Sequence, residues 1–160
     1  MPTPSVSLPV PRVLIAEDDD GHALLIQEEL EDVGIHNPIL RFRDGAEVWD
    51  YLSGAGTGEK RDPAHAYLLL LDIRMPKMDG VEVLRRIKGH DELRSLPVIM
   101  LTTTDDPREV AECYALGCNS YITKPVSFDE FSEVIKRLGL FISVIAVAPP
   151  KSVLRKAAHG

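Results

Sequence analysis

The chain alternates short apolar runs with longer stretches in which apolar residues recur every three or four positions. Five runs read as strands: Val13-Leu14-Ile15-Ala16, Ile39-Leu40-Arg41-Phe42, Leu68-Leu69-Leu70-Leu71, Val98-Ile99-Met100-Leu101 and Ser120-Tyr121-Ile122-Thr123. The first, third and fourth are apolar throughout, the pattern of strands covered on both faces, whereas the second and fifth are mixed, as strands near a sheet edge are. Helical periodicity fills the gaps. Gly21–Val33 carries Ile26, Leu30 and Val33 on one stripe and stops at Gly34. Ala46–Leu52 is shorter, and Val81–Lys88 aligns Val81, Leu84 and Ile87 before Gly89. Pro107–Leu116 opens with Asp106 as N-cap and Pro107 in the first helical position, and ends at Gly117. Ser127–Leu138 opens with a Ser127/Glu130 capping box and buries Phe131, Val134, Ile135 and Leu138. Strands alternating with helices predict an α/β domain, a doubly wound five-stranded parallel sheet with five helices on its two faces.

In such a sheet, sites form at the carboxyl ends of the strands. The first strand is followed by Glu17, Asp18, Asp19 and Asp20, the third by Asp72, the fourth by Thr102, Thr103 and Thr104, and the fifth by Lys124-Pro125. Carboxylates, hydroxyls and an ammonium thus converge on one edge. Crowded carboxylates repel one another, and a hard cation such as Mg²⁺ relieves this through oxygen ligands. Glu17, Asp18 and Asp72 suit that role, while Asp19 and Asp20 read as helix N-caps. Met75-Pro76 and Asp79-Gly80 make a stiff loop after Asp72. A phosphoryl group on Asp72 would carry about two negative charges. Lys124 and the Thr102 hydroxyl are suited to bind its oxygens. An X-Pro bond is the one peptide bond that readily adopts the cis form, and a cis Lys124-Pro125 would re-aim the lysine toward the site.

Composition narrows the function. The 160 residues suit one domain with short tails, and a net charge of −7 argues against nucleic-acid binding. Met1 to Arg12 lacks the pattern of a signal peptide, and no apolar run reaches the length of a bilayer span. Cys113 and Cys118, without ligand-spaced partners, read as packing thiols in a reduced, cytoplasmic setting. The GAGTGEK stretch within Ser53–Ala66 lacks the spacing of a phosphate-binding loop and reads as a solvated connection.

Glu17-Asp18, Leu71-Asp72 with Met75-Pro76 and Asp79-Gly80, Thr102, Tyr121 and Lys124-Pro125 together resemble the receiver domain of bacterial two-component response regulators, over residues 12–138. The resemblance implies a flavodoxin-like fold with strand order 2-1-3-4-5. It implies Asp72 as phosphoacceptor, Asp18, Asp72 and the Arg74 backbone carbonyl as Mg²⁺ ligands, and Glu17 acting on the metal through water. It also implies Lys124 as the phosphate-binding lysine and Thr102 with Tyr121 as a switch pair. Glu17 stands where many members carry an aspartate. His22, the Asp44-Gly45 and Asp50-Tyr51-Leu52 stretch, and the apolar run closing on Pro149 resemble single-domain regulators paired with bacterial phytochromes, which implies a sensor histidine kinase as partner.

Flanking this unit, residues 1–11 and the basic residues 150–160 read as disordered tails. Residues 139–149 form an apolar extension that either packs on its own domain or makes a homodimer interface; dimerisation is favoured because the core is complete without it. The expected function is a switch rather than an enzyme, assisting only its own phosphorylation and dephosphorylation. A phosphorylation-independent docking module or a phosphate sink for the kinase is the alternative. An aspartyl-nucleophile phosphatase needs a second Asp two residues after the nucleophile, where this chain has Arg74.

Overall fold

A computed structural model describes residues 11–36 and 38–144. Its element order is β1 (Arg12–Ala16), α1 (Asp20–Asp32), β2 (Ile39–Phe42), α2 (Gly45–Ser53), β3 (Tyr67–Leu71), α3 (Gly80–Lys88), β4 (Val98–Thr102), α4 (Pro107–Leu116), β5 (Ser120–Thr123) and α5 (Phe128–Val144). The five strands are parallel in the order β2-β1-β3-β4-β5, which is the flavodoxin-like arrangement. Strands β3 and β4 are buried at every position, as their unbroken apolar runs require, and β2 and β5, the edges, are half-exposed.

Alternate residues of each strand feed two cores. Leu14, Leu69, Leu71, Val98 and Met100 pack beneath α2, α3 and α4 with Val48, Leu84 and Ile87. Val13, Ile15, Leu68, Leu70, Ile99 and Leu101 pack beneath α1 and α5 with Ile26, Leu30, Phe131 and Ile135. The register aligns Ala16 with Leu71, Leu71 with Met100, and Thr102 with Thr123. The residues just beyond β1, β3 and β5, and Thr102 at the end of β4, therefore reach the same edge of the sheet.

Two expectations need correction. Helix α5 does not stop at Leu138 but continues to Val144. Gly139 and Ile142 are buried, and a Cβ on Gly139 would lie 2.4 Å from the Val33 side chain, so α1 and α5 touch through glycine. The first part of the apolar extension thus packs on its own domain, while Leu140, Phe141 and Val144 remain exposed. Asp20 is the first residue of α1 rather than its cap; Asp19 alone caps, accepting the His22 N–H at 2.9 Å. No described peptide bond is cis, so Lys124–Pro125 is trans. The expected tails at 1–11 and 150–160, Pro11 apart, and the remainder of the extension lie outside the described residues.

Candidate functional site

Three of the predicted site residues are held just past the ends of their strands by backbone hydrogen bonds to a neighbouring strand. Glu17 follows β1, its N–H donating to the Phe42 carbonyl at 3.0 Å, and Asp72 follows β3, its N–H donating to the Ala16 carbonyl at 3.0 Å. Lys124 follows β5, its N–H donating to the Thr102 carbonyl at 2.7 Å. The loop after Asp72 is shaped by Gly80, whose N–H donates to the Ile73 carbonyl at 2.8 Å. A Cβ on Gly80 would lie 2.0 Å from the Asp72 carbonyl oxygen, so only glycine lets α3 start this close to the residue that follows β3. Asp79 then caps α3 by accepting the Glu82 N–H.

These backbones bring the side chains together. The Lys124 ammonium donates to Asp72 Oδ2 at 3.1 Å and to the Glu17 carboxylate. Asp72 Oδ1 accepts the Ile73 N–H at 2.7 Å, which fixes the plane of the carboxylate. Glu17, Asp18 and Asp72 each present an oxygen within 4.8 Å of the others. Glu17, Asp72, Thr102 and Lys124 are buried, whereas Asp18 is exposed at the mouth. Burial, and next the neighbouring Asp72 carboxylate, raise Glu17 to a pKa of about 7. Three carboxylates thus face one ammonium, and the deficit of positive charge is what a divalent cation would balance. The Thr102 hydroxyl oxygen is buried with no hydrogen-bond partner. A buried hydroxyl with no partner is uncommon and leaves Thr102 free to donate to an incoming acceptor.

Tyr121 is half-buried beside this pocket. Its hydroxyl donates to the Thr104 carbonyl at 2.7 Å, and burial pushes its phenol up to about 12. Arg74 turns its side chain outward to Glu109 of α4 at 3.0 Å, and the other Glu109 oxygen accepts from the Thr104 hydroxyl at 2.7 Å.

Residues 13–136 match the response regulator receiver domain. This chain belongs to the response regulator receiver family. The receiver is 42% identical to a response regulator receiver domain from Rhodospirillum rubrum, with a TM-score of 0.81 over 87% of this chain and 98% of that one. It is 32% identical to the response regulator Rcp1 of Synechocystis over 81% of this chain and 86% of Rcp1. The phosphorylated cyanobacterial phytochrome response regulator RcpA superposes with a TM-score of 0.74 at 30% identity, covering 86% of this chain and 96% of that one. Receivers are phosphorylation-dependent switches that bind a divalent metal and take their phosphoryl group from a sensor histidine kinase. No helix among the described residues is long and apolar enough to cross a membrane.

Sequence reasoning gave no chemical role to two contributors to the receiver's site. His22, in the first turn of α1, places Nδ1 3.2 Å from the Lys124 ammonium and packs edge-on against Phe131. Its signal was its place three residues after a capping aspartate, which turns it back toward the loop. Arg41, on β2, donates from Nε to the Glu17 carbonyl at 2.9 Å. Finding it required the strand order, which sets Arg41 beside Ile15. Cys113 and Cys118 are buried and free, with burial raising both thiols, as packing residues should be.

Proposed function

We propose that Asp72 accepts the phosphoryl group and that Glu17, Asp18, Asp72 and the Arg74 carbonyl hold Mg²⁺ beside it. The observation that carries this reading is the pairing of Asp72 with Lys124 at 3.1 Å beside an unpartnered, buried Thr102 hydroxyl. An Asp72 carboxylate oxygen attacks phosphorus, forming a P–O bond as the P–N bond to the kinase histidine breaks. The imidazole leaves and takes a proton from solvent. The Ile73 N–H and the Lys124 ammonium hold the attacking carboxylate in position. When bound, the metal supplies positive charge against the transferring oxygens. Lys124 supplies more, and the Thr102 hydroxyl donates to a phosphoryl oxygen.

Switching follows from the same contacts. Thr102 gains an acceptor it lacks, and Tyr121, bonded to the Thr104 carbonyl two residues on, follows the β4–α4 loop. Moving a population from 1% to 99% active needs about 5.5 kcal/mol of preference. Two or three charge-assisted hydrogen bonds with a metal contact are of that order.

The kinase is proposed to be of the phytochrome class, supported by likeness to RcpA and Rcp1. Exposed Val126, on the β5–α5 loop that follows Lys124, and Phe128, the first residue of α5, offer an apolar docking rim. The receiver is proposed to form a homodimer, supported by Leu140, Phe141 and Val144 exposed together on α5. Intact mass after incubation with acetyl phosphate and Mg²⁺ tests the central reading. Wild type should gain one phosphoryl group and Asp72→Asn none; equal gain in both would remove Asp72 from the role.

A further inference from the structure

We propose that Arg41 is a positioning residue for the metal site, pinning the β1–α1 loop so that Glu17 and Asp18 face Asp72; this rests on the reading of those acids as metal ligands. Arg41 pairs in register with Ile15, and its side chain reaches past the carboxyl end of β1. There the guanidinium forks. Nε donates to the Glu17 carbonyl at 2.9 Å and Nη1 to Asp20 Oδ1 at 2.7 Å. Arg43 adds a longer contact to the same Asp20 oxygen, 3.5 Å. The loop is thus gripped on both sides of Asp18, while Asp19 is committed to capping α1.

Arg41 is poorly chosen for stability alone. Its side chain is only 15% exposed, and Nη2 is buried with no partner. A stranded guanidinium nitrogen costs free energy, and an apolar residue on this edge strand would avoid that cost. What the arginine provides instead is a planar fork that reaches a carbonyl and a carboxylate at once, a geometry lysine cannot reproduce.

The sign of the effect separates positioning from simple charge. A cation near a bound dication repels it, so Arg41 acting only through charge would weaken metal binding, and its removal would tighten it. Positioning predicts the reverse. Calorimetric titration of Mg²⁺ into the full chain distinguishes the two, using wild type, Arg41→Ala and Arg41→Lys, with melting in metal-free buffer as the folding control. Arg41→Lys keeps charge and length and so keeps the test open if the alanine variant folds poorly. Both variants should bind Mg²⁺ about tenfold more weakly than wild type, the Mg²⁺ needed for half-maximal acetyl phosphate-driven phosphorylation should rise by a similar factor, and the rate at saturating Mg²⁺ should stay within about twofold. Affinities equal to or tighter than wild type in both variants would overturn the proposal. Wild type that binds no Mg²⁺ would instead sink the metal-site reading beneath it.

Discussion

Replacing Glu17 by glutamine should make the metal-free protein more stable at pH 8, not less. Glu17 is buried, and its carboxyl is raised from 4.5 to about 7 by desolvation and by Asp72, with the Lys124 ammonium only partly offsetting them. The native state therefore holds a proton on Glu17 that the unfolded chain has already released, and stability must fall with rising pH. The contribution is fully present below pH 4.5, fades as pH rises through 7 and is gone above about 8. A displacement of this size corresponds to on the order of 3 kcal/mol, or roughly 10 °C of melting temperature for a domain this long. Glutamine keeps the shape, carries no charge and so removes this slope. Mg²⁺ should reverse the trend in wild type alone, stabilising more at pH 8 than at pH 6, because binding must displace the Glu17 proton. Calorimetric melting of both proteins from pH 5 to 8, with EDTA and then with Mg²⁺, checks all of this. A wild-type curve in EDTA that is flat or rises over this range, or a glutamine variant with the same slope, would refute the reasoning.

Other perturbations have equally definite outcomes. Thr102→Ala removes a hydroxyl that bonds to nothing in the unphosphorylated protein, so urea denaturation should find stability changed by less than about 1 kcal/mol, while phosphorylation should lose much of its effect on conformation. Gly80→Ala forces a methyl onto the Asp72 carbonyl and should destabilise by about 3 kcal/mol or more in the same assay, with loss of phosphoryl acceptance. Arg74→Ala and Glu109→Gln both break the ion pair between the Asp72 loop and α4, and dephosphorylation rates should shift in the same direction for both; rates identical to wild type would dismiss a role in phosphoryl lifetime. Truncation after Leu138 should give a monomer by light scattering, but it also removes buried Ile142, so truncation after Val144 separates the roles of the helix end and the segment beyond.

Much of the fold was legible because its signals are local. Leu68–Leu71 can be little other than a doubly covered strand, and Asp106-Pro107 with Gly117 brackets α4 to the residue. The site acids were legible because a parallel sheet puts strand-end residues on one edge, whichever strands neighbour one another. The end of α5 was missed because Gly139 reads as a stop in sequence; its use is tertiary, a close pass against Val33 that no local pattern reveals. Asp20 was misread for the same reason, since its partner Arg41 lies 21 residues away on a neighbouring strand. His22 escaped because its contact, Lys124, lies 102 residues away.

In the proposed switch, Asp72, Thr102 and Lys124 surround one phosphoryl group beside a metal held by the acids. A crystal structure of the protein with Mg²⁺ and beryllofluoride, which mimics an aspartyl phosphate, tests this most directly. Beryllium is expected on an Asp72 carboxylate oxygen, with fluorines bonded to the Lys124 ammonium and the Thr102 hydroxyl and a cation among Glu17, Asp18 and Asp72. An adduct on another residue, or a cation bound away from those three carboxylates, would contradict it.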